Sequence, residues 1–328
     1  MWFKNLVGFE EKSPEFVREN IRVEGKNLIS KVNGKSYQFG VLEVPSLDVL
    51  RKQTTLDKYS AQIRIKEVIG DIQELHCEPS NEHALFQAAS QFNLLEMIGP
   101  SITPETGVGI YEEDFTQGPA CAIACGAGTI YRNYFVPLEG QIGQSSEKQI
   151  DCLELIGKAL NNDELNLWQM ENGYALCDIN GLLKINAEIG QMSTNEREAL
   201  KGKLKVGLQW DTEVTIADFK QIVSQIYCSA LPVAYSNIES VYWENFARLI
   251  LEATYEATLH ASLINYERTG SNKVFLTLVG GGAFGNDMDW IIDSLRLAIL
   301  KFKRTPLDIS IVSYGGSKKA VLEMVNKI

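Results

Sequence analysis

Runs of basic residues are absent from this 328-residue chain. It contains 31 lysines and arginines and 42 acidic residues, which gives a net charge of −11. A surface of this sign repels nucleic-acid phosphates, which argues against nonspecific DNA or RNA binding. No stretch reaches the roughly 18 apolar residues of a membrane span, and the N-terminus is too acidic for a secretory signal. We therefore expect a soluble cytoplasmic protein with neither nucleic acid nor membrane as partner.

Metal-ligand patterns are also missing. Cys121 and Cys125 could share one helical face, but zinc needs two further ligands, and the histidines have no matching spacing. The six cysteines lie in apolar sequence of a chain too large to need disulfides, and we expect them to be reduced. Cys228 is either a nucleophile or a buried inert thiol, and no sequence feature assigns it a histidine partner. No metal and no cofactor is predicted.

A glycine-rich loop follows a buried strand near the C-terminus. Val274 to Val279 is a continuous apolar run, typical of a strand covered on both faces, and Gly280 to Asn286 (GGGAFGN) follows directly. Residues without Cβ allow positive φ and the close approach of a ligand, and the next helix turns free N–H groups toward the loop. The pattern predicts either a phosphate cradle or a tight turn without a ligand.

The segments after this loop predict a parallel sheet. Asn286 or Asp287 can cap a helix that ends before Pro306, and a buried strand over 307–313 and a final helix over 320–328 follow. This strand–helix–strand–helix order indicates an α/β fold. GGGAFG is not the GxGxxG fingerprint and no GxxxxGK[ST] occurs, so a nicotinamide oxidoreductase is the least favoured function.

Upstream, residues 1–68 predict an N-terminal β-rich lobe with a type I′ hairpin at Asn33-Gly34. A main α/β domain is expected over 69–328, and it includes one long helix over 237–267 that begins with a capping box of Ser236 and Glu239. The polar, acidic composition of residues 140–205 predicts an insertion or a small subdomain, with a second hairpin that turns at Asn180-Gly181.

Three segments together resemble a macrodomain. KVFLTLVGGGAFGNDMDWIIDSLRLAILKF with LDISIVSYGGSKKAVLEMV looks like the C-terminal third of that family. FQAASQFN resembles its early strand, which ends in an asparagine that contacts a ribose. PETGVGIYEEDFTQGPACAIACGAG is similar in position to its first ligand loop. The resemblance implies a macrodomain-like three-layer α/β/α sandwich with a mixed, mostly parallel sheet.

Acidic residues in that first loop are similar to those of poly(ADP-ribose) glycohydrolase-like and effector-type macrodomains, which hydrolyse ADP-ribose attached to proteins. The resemblance thus implies ADP-ribose or an ADP-ribosylated protein as partner, with modified ubiquitin as one candidate. It places the protein in the cytoplasm, or in the host cytosol for a secreted effector.

ADP-ribose needs main-chain donors for its phosphates, polar groups for its sugars and an apolar slot. The glycine loop would supply the donors, Phe284 would lie against the distal ribose, and Gln91 and Asn93 would hold hydroxyls. The predicted ligand-binding residues are Gln91, Asn93, Gly280, Gly281, Gly282, Ala283, Phe284, Gly285, Asn286 and Tyr314.

Cleavage of a glycosidic bond passes through an oxocarbenium-like state that a carboxylate stabilises. Three consecutive acids, Glu112-Glu113-Asp114, lie in the first loop. Asp114 is the first candidate and Glu113 the second, unless these three residues form only a solvated acidic loop. Asp211, which follows Trp210 at a strand end, is a further candidate. We predict an ADP-ribosyl hydrolase, with a non-catalytic ADP-ribose-binding module as the alternative and an interaction protein as a third hypothesis.

Overall fold

A computed structural model describes all residues from Met1 to Ile328. Its strands form a seven-stranded main sheet, a three-stranded sheet and two hairpins. They are β1 Ile21–Glu24, β2 Asn27–Ser30, β3 Ser36–Gln38, β4 Val41–Glu43, β5 Arg64–Ile69, β6 Leu85–Ala89, β7 Pro137–Leu138, β8 Gln141–Ile142, β9 Gln169–Glu171, β10 Tyr174–Leu176, β11 Gly207–Glu213, β12 Ile222–Cys228, β13 Lys273–Leu276 and β14 Asp308–Ser313.

The α-helices alternate with these strands, and short 3-10 turns join several of them. The helices are α1 Trp2–Val7, α2 Pro14–Asn20, α3 Leu47–Gln53, α4 Ile72–Cys77, α5 Gln117–Ala124, α6 Gly126–Tyr134, α7 Glu154–Ala159, α8 Asn162–Leu165, α9 Ile179–Gln191, α10 Thr194–Lys201, α11 Glu244–Thr269, α12 Met288–Lys301 and α13 Lys319–Val325. None of them is long and apolar enough to cross a membrane.

The main sheet has the strand order β4-β11-β12-β6-β13-β14-β5. Neighbours from β12 to β5 pair in parallel, whereas β11 runs antiparallel to both of its neighbours. Strands β6, β13 and β14 are buried over nearly their whole length, as their continuous apolar runs require. The predicted mixed, mostly parallel sheet is confirmed.

Helices cover both faces of this sheet. In β6, Phe86 stacks on His76 of α4, while the next residue, Gln87, donates a hydrogen bond to Thr258 of α11 at 2.8 Å. Successive strand residues point to opposite faces, so α4 and α11 lie on opposite sides. Helices α5 and α6 pack on the side of α4, and α3, α9, α10 and α12 pack against α11. The predicted α/β/α sandwich is confirmed.

The N-terminal segment forms a small unit against the main domain. Sheet β1-β2-β3 and helices α1 and α2 share a second apolar core with α6. The predicted hairpin is present, but only Gly34 has positive φ (72°), so the turn is not the type I′ that was predicted. Both edge strands of the main sheet, β4 and β5, also lie within the first 69 residues, so the sheet begins before the expected boundary at residue 68.

Residues 140–205 contain four helices and one two-stranded hairpin besides β8. The hairpin joins β9 to β10 through Asn172-Gly173, where both residues have positive φ. The prediction that the chain turns at Asn180-Gly181 is wrong, because Asp178 accepts a hydrogen bond from the amide of Gly181 and starts α9 there.

The long helix is present with a shifted start, and the glycine-loop helix begins after one of its two predicted caps. Gly270 ends α11 with a φ of 79°, near the predicted position. The predicted capping box is wrong, because Ser236 Oγ accepts from the amide of Ile238 and a 3-10 turn precedes α11. Asp287 caps α12, as one of the two predicted alternatives.

A half-buried ionic cluster joins α3 and α10 to α11. Glu256, whose side chain is 5% exposed, accepts from Arg51 Nε at 2.7 Å and also pairs with Lys201 and Lys301. His260 lies one turn further along the same helix, with Nε2 at 3.6 Å from Glu256 Oε1. Burial opposes the charge on Glu256, but hydrogen bonds from its neighbours hold the pKa of this carboxyl far below its usual range.

Glu256→Gln should therefore destabilise the protein by about 3–5 kcal/mol at pH 7, since the cations around it lose a buried partner. Because the pKa of Glu256 is lowered on folding, its contribution is complete above the unfolded pKa of about 4.3 and is lost as pH falls toward the folded value. Denaturant titrations at several pH values should show the two proteins converging in acid. Glu323→Gln, in an exposed pair with Lys319, is the control and should change little.

Candidate functional site

A cavity of about 1060 Å³ lies at the carboxyl edge of the main sheet. Open α/β sheets bind their ligands at this edge, where the loops after parallel strands meet. All five parallel strands from β12 to β5 contribute to it. The lining segments are Gly70 and Asp71 after β5, Ser90 and Gln91 after β6, Ala230 after β12, Thr277 to Phe284 after β13, and Ser313 and Tyr314 after β14.

The glycine loop leaves several main-chain donors unused. The amides of Gly281, Gly285 and Asn286 donate hydrogen bonds within the loop. Those of Gly280, Gly282, Ala283 and Phe284 donate to no protein acceptor, and all four residues line the cavity. An anion in the cavity therefore has four free N–H groups within one short loop.

Two residues predicted as ligand contacts instead hold this loop in place. Asn286 lies outside the cavity lining and donates from Nδ2 to the carbonyl oxygen of Leu231 at 2.7 Å. Gly285 also lies outside, with a φ of 67°, and an added Cβ would come within 2.7 Å of the Cβ of Ala234. Both positions fix the loop against the segment after β12, so they support the donors without lining the cavity.

An aromatic cluster forms one wall of the cavity. The ring of Phe284 lies 5.3 Å from that of Tyr174 and 5.7 Å from that of Tyr235, measured between centroids. Tyr174 comes from hairpin β9–β10, so residues 140–205 help to build the site. Tyr174 and Tyr235 were not predicted, because each reaches the cavity only through tertiary contacts.

Two exposed aromatic residues stand at the mouth of the cavity. Phe115 is 94% exposed and Tyr314 is 76% exposed, yet both belong to the lining. An exposed ring offers a flat apolar face to a planar group of a ligand. The predicted position of Tyr314 beside the nucleotide site is thus geometrically available.

The acidic loop enters the same cavity. Glu113 ends a 3-10 turn over Gly109–Glu113 and lines the cavity, as does Asp114. Asp114 is partly exposed, and its Oδ1 accepts a hydrogen bond from the amide of Thr116 at 2.9 Å. Glu113 pairs with no cation. Both predicted loop carboxylates are therefore open to a ligand.

A half-buried glutamate from the N-terminal segment, Glu11, holds this acidic loop. Glu11 Oε1 accepts the amide of Val108 at 3.0 Å, and Oε2 accepts the amide of Gly109 at 2.6 Å. The hydroxyl of Tyr134 also donates to Glu11, at 2.6 Å. Burial raises the pKa of Glu11, although these three hydrogen bonds act in the opposite direction.

The loop after β6 holds the two remaining polar ligand candidates. Gln91 lines the cavity, but Nε2 donates to the carbonyl oxygen of Met97 at 2.8 Å and Oε1 accepts the amide of Met97 at 3.0 Å. Asn93 is fully buried outside the lining, where Oδ1 accepts the amide of Leu95 and Nδ2 donates to Gln149. Both side-chain amides hold this loop in shape, so few of their hydrogen-bond donors and acceptors remain free for a sugar.

Asp211 does not belong to this site. It lies at a bulge between β11 and β12 with a φ of 54°, outside the cavity lining. Its carboxylate pairs with Arg268 at 2.5 Å. The prediction that Asp211 reaches the reacting sugar therefore has no geometric support.

The cysteines and histidines form no second reactive centre. Cys228 is buried, and burial raises the pKa of its thiol to about 12. Its sulfur lies 3.7 Å from Thr258 Oγ1, on the side of α11. All six cysteines are free, and no group of three or more His, Cys, Asp or Glu residues converges on one point.

One buried carboxyl in the lining was missed by the sequence analysis. Glu96 is 3% exposed and lies two residues beyond Leu94, whose φ is 65°. The signal was present, because Glu96 is the one ionisable residue in the otherwise apolar run from Leu94 to Ile98. A charged residue in such a run deserves a functional hypothesis as well as a structural one.

A comparison with models of protein families gives no match, and a comparison with curated proteins gives no significant match. Among solved structures, the chain is similar to poly(ADP-ribose) glycohydrolase from Thermomonospora curvata, with 10% identity, 95% coverage of each chain and a TM-score of 0.49. The same glycohydrolase bound to the inhibitor ADP-HPD gives 9% identity, 96% coverage of each chain and a TM-score of 0.47.

A further similar structure is poly(ADP-ribose) glycohydrolase from Deinococcus radiodurans in complex with ADP-ribose. It has 10% identity and a TM-score of 0.44, and the match covers 87% of this chain and 92% of that chain. Such an identity does not transfer an activity, so the function of this chain has to come from its own residues.

Glu11→Ala should loosen the acidic loop, since two main-chain amides and a buried hydroxyl lose their acceptor at a cost of about 1–3 kcal/mol per unsatisfied group. Amide hydrogen exchange at Val108 and Gly109 should become faster than in the wild type. Glu10→Ala is the matched control, because Glu10 pairs with Lys4 on the surface. Unchanged exchange in Glu11→Ala would contradict this role.

Proposed function

We propose that this protein is an ADP-ribosyl hydrolase, which binds ADP-ribose in the cavity and cleaves the glycosidic bond that joins it to a protein. One observation carries the proposal. Free main-chain amides of the glycine loop and the carboxylates of Glu113 and Asp114 line the same cavity. A diphosphate held by the amides would bring its sugar within reach of acidic side chains.

The cavity suits the size and chemistry of ADP-ribose. Its volume of about 1060 Å³ lies just above the roughly 300–1,000 Å³ typical of small-molecule sites. Lys318 is the only lysine or arginine in the lining, so main-chain amides have to supply most of the phosphate contacts. The wall of Phe284, Tyr174 and Tyr235 offers apolar faces to a sugar ring, and Tyr314 offers one to the base.

The loop carboxylates provide the chemistry. Cleavage at the anomeric carbon builds positive charge on the ribose, which a nearby carboxylate stabilises. Asp114 can also accept a proton from the attacking water, because its partial exposure leaves room for that water. Glu113 is the second carboxylate in the same loop and acts on the same charge.

A non-catalytic module that only binds ADP-ribose is the second candidate function. The amides and the aromatic wall would serve it equally well, and Asp114 already spends one carboxylate oxygen on the amide of Thr116. Tight binding without turnover would favour this alternative.

The modified protein and the cellular location are part of the proposal. We infer an ADP-ribosylated protein, with modified ubiquitin as one candidate, as the substrate. Free buried cysteines such as Cys121 and Cys125 suit a reducing compartment, which supports the cytoplasm or, for a secreted effector, the host cytosol.

Gly282→Glu should weaken the binding of ADP-ribose, because it places a negative charge among the free amides. An added Cβ at Gly282 meets no atom within 4 Å, so the fold should tolerate it, and Gly282→Ala is the matched control. Calorimetry should show at least about a tenfold loss of affinity, equal to about 1.4 kcal/mol, for Gly282→Glu alone. Equal affinities of Gly282→Glu and Gly282→Ala for ADP-ribose would contradict the role of the glycine loop as the phosphate-binding site.

Asp114→Asn should lower the rate of ADP-ribose release from a modified protein by about 10²–10⁴-fold, with little change in ADP-ribose affinity. Asp211→Asn applies the same substitution outside the cavity and should leave the release rate unchanged. If wild type releases ADP-ribose and Asp114→Asn releases it at the same rate, Asp114 is not a catalytic residue. The absence of any release by wild type would favour the binding module.

A further inference from the structure

Glu96 is a buried carboxyl that faces the cavity without a partner. Its Oε1 is inaccessible to solvent and makes no hydrogen bond, and its side chain belongs to the lining. Polar atoms in this condition are rare in folded proteins, because each costs free energy. Oε2 keeps the small remaining exposure of this side chain, so a ligand in the cavity can contact that oxygen while Oε1 stays buried without a partner.

Hydrogen bonds and close packing fix the loop that carries Glu96. Gln91 clamps Met97 on both sides of its main chain, and Leu94 adopts the left-handed region that L residues seldom occupy. The amide of Glu96 itself donates to the hydroxyl of Tyr111 at 3.0 Å. Gly118, near the start of α5, has no side chain, and an added Cβ there would collide with the Glu96 carboxyl. The carboxyl is therefore held between this loop and α5, within the lining of the cavity.

No cation neutralises this carboxyl. Glu96 forms no ion pair, and the guanidinium of Arg132 is engaged elsewhere, with the carbonyl of Leu94, with Thr129 and over the ring of Tyr227. Burial raises the pKa of Glu96 well above its usual range, Arg132 acts against this, and Asp114 adds to it. The titratable groups that interact electrostatically with Glu96 are Arg132, Asp114, Tyr111, Tyr174, Tyr227 and Cys121.

We propose that Glu96 carries a proton at neutral pH and donates it to the leaving-group oxygen when the glycosidic bond breaks. This role rests on the proposed hydrolase function and adds a second carboxyl to it. Glu96 acts as the acid, and Asp114 in the acidic loop acts as the base. Two carboxyls in unlike surroundings commonly divide these tasks, because burial favours the neutral form and solvent favours the charged form.

The step balances as a hydrolysis. The bond between C1 of the ribose and the leaving oxygen breaks, and that oxygen takes the Glu96 proton. A water oxygen bonds to C1 and loses one proton to the Asp114 carboxylate. Transfer of that proton through solvent from Asp114 to Oε2 of Glu96, the carboxylate oxygen that keeps some exposure, restores the starting state, so no oxidant, metal or further reactant is needed.

The protonation of Glu96 can be measured without any substrate. Wild-type protein with glutamate labelled by ¹³C at the carboxyl carbon should show, for Glu96, a carboxyl signal that remains protonated at pH 7. Glu96→Gln should remove that signal and so assign it. A Glu96 signal that is already ionised at pH 7 overturns the proposal, whatever the outcome of the activity assays.

The catalytic role is tested by two substrates of unlike leaving groups. On ADP-ribosylated protein with an alkoxide leaving group, Glu96→Gln should lower kcat by about 10²–10⁴-fold with little change in KM, and the fall of wild-type activity at high pH should vanish. On ADP-ribose joined to nitrophenol, which leaves without a proton, Glu96→Gln should act almost as fast as wild type. Glu96→Asp, which keeps an acid, serves as a second variant.

The outcomes separate this proposal from the one on which it rests. Equal losses on both substrates, or a changed KM with an unchanged pH profile, would make Glu96 a structural or binding residue and overturn its role as acid. Wild-type hydrolysis that Glu96→Gln leaves unchanged overturns the role of Glu96 alone. Failure of wild type to release ADP-ribose from either substrate overturns both the hydrolase function and the acid role.

Discussion

Parallel strand pairing is the constraint on which the rest of this structure depends. Because neighbours from β12 to β5 run in one direction, their carboxyl ends meet at one edge, and five separate loops are brought together there. Residues as distant in sequence as Asp71 and Tyr314 therefore line one cavity. No single segment of the chain could form this site alone.

Parallel pairing brings the loops together, but it does not give them a defined shape. Hydrogen bonds from buried and half-buried polar side chains fix the shape of three of the loops that line the cavity. Glu11 binds the acidic loop, Gln91 closes the loop after β6, and Asn286 ties down the glycine loop. Each satisfies main-chain groups that would otherwise be unpaired, and burial makes loss of such a bond costly. The same bonds leave other amides and carboxyls unpaired and facing the cavity, which is the preorganisation that ligand binding requires.

The sequence identified the parts whose signals are local. An apolar run, a glycine run and a capped amphipathic helix define the β13–loop–α12 unit without reference to any other segment, and the structure agrees. Asn-Gly occurs at both 172–173 and 180–181, and only the first is a hairpin turn. The difference lies in Asp178, which caps a helix at the second site, and this cap was readable from the sequence.

Other features depend on partners that lie far apart in the chain. The carboxylate of Asp211 pairs with Arg268, and the side-chain amide of Gln91 is bonded to the main chain of Met97. Residue type alone could not show that protein partners already engage both side chains. Tyr174 reaches the cavity because Gly173 packs closely against Asn93, a contact between segments 80 residues apart. Gln91 and Asn93, after the end of β6, predicted a functional loop. Their side chains hold this loop in shape, whereas the acid that the loop contributes to the cavity lining is Glu96.

The unlike surroundings of Glu96 and Asp114 follow from where their loops attach. Glu96 belongs to a loop clamped beneath the cavity between β6 and α5, so water cannot reach its Oε1. Asp114 lies at the mouth, beside the exposed ring of Phe115, where water is plentiful. Depth in the fold therefore raises the pKa of the Glu96 carboxyl, since the cost of charge rises with burial. Any ligand that spans this depth meets a buried carboxyl at the floor and a partly exposed one at the rim, and this difference in surroundings is what the proposed division into acid and base rests on.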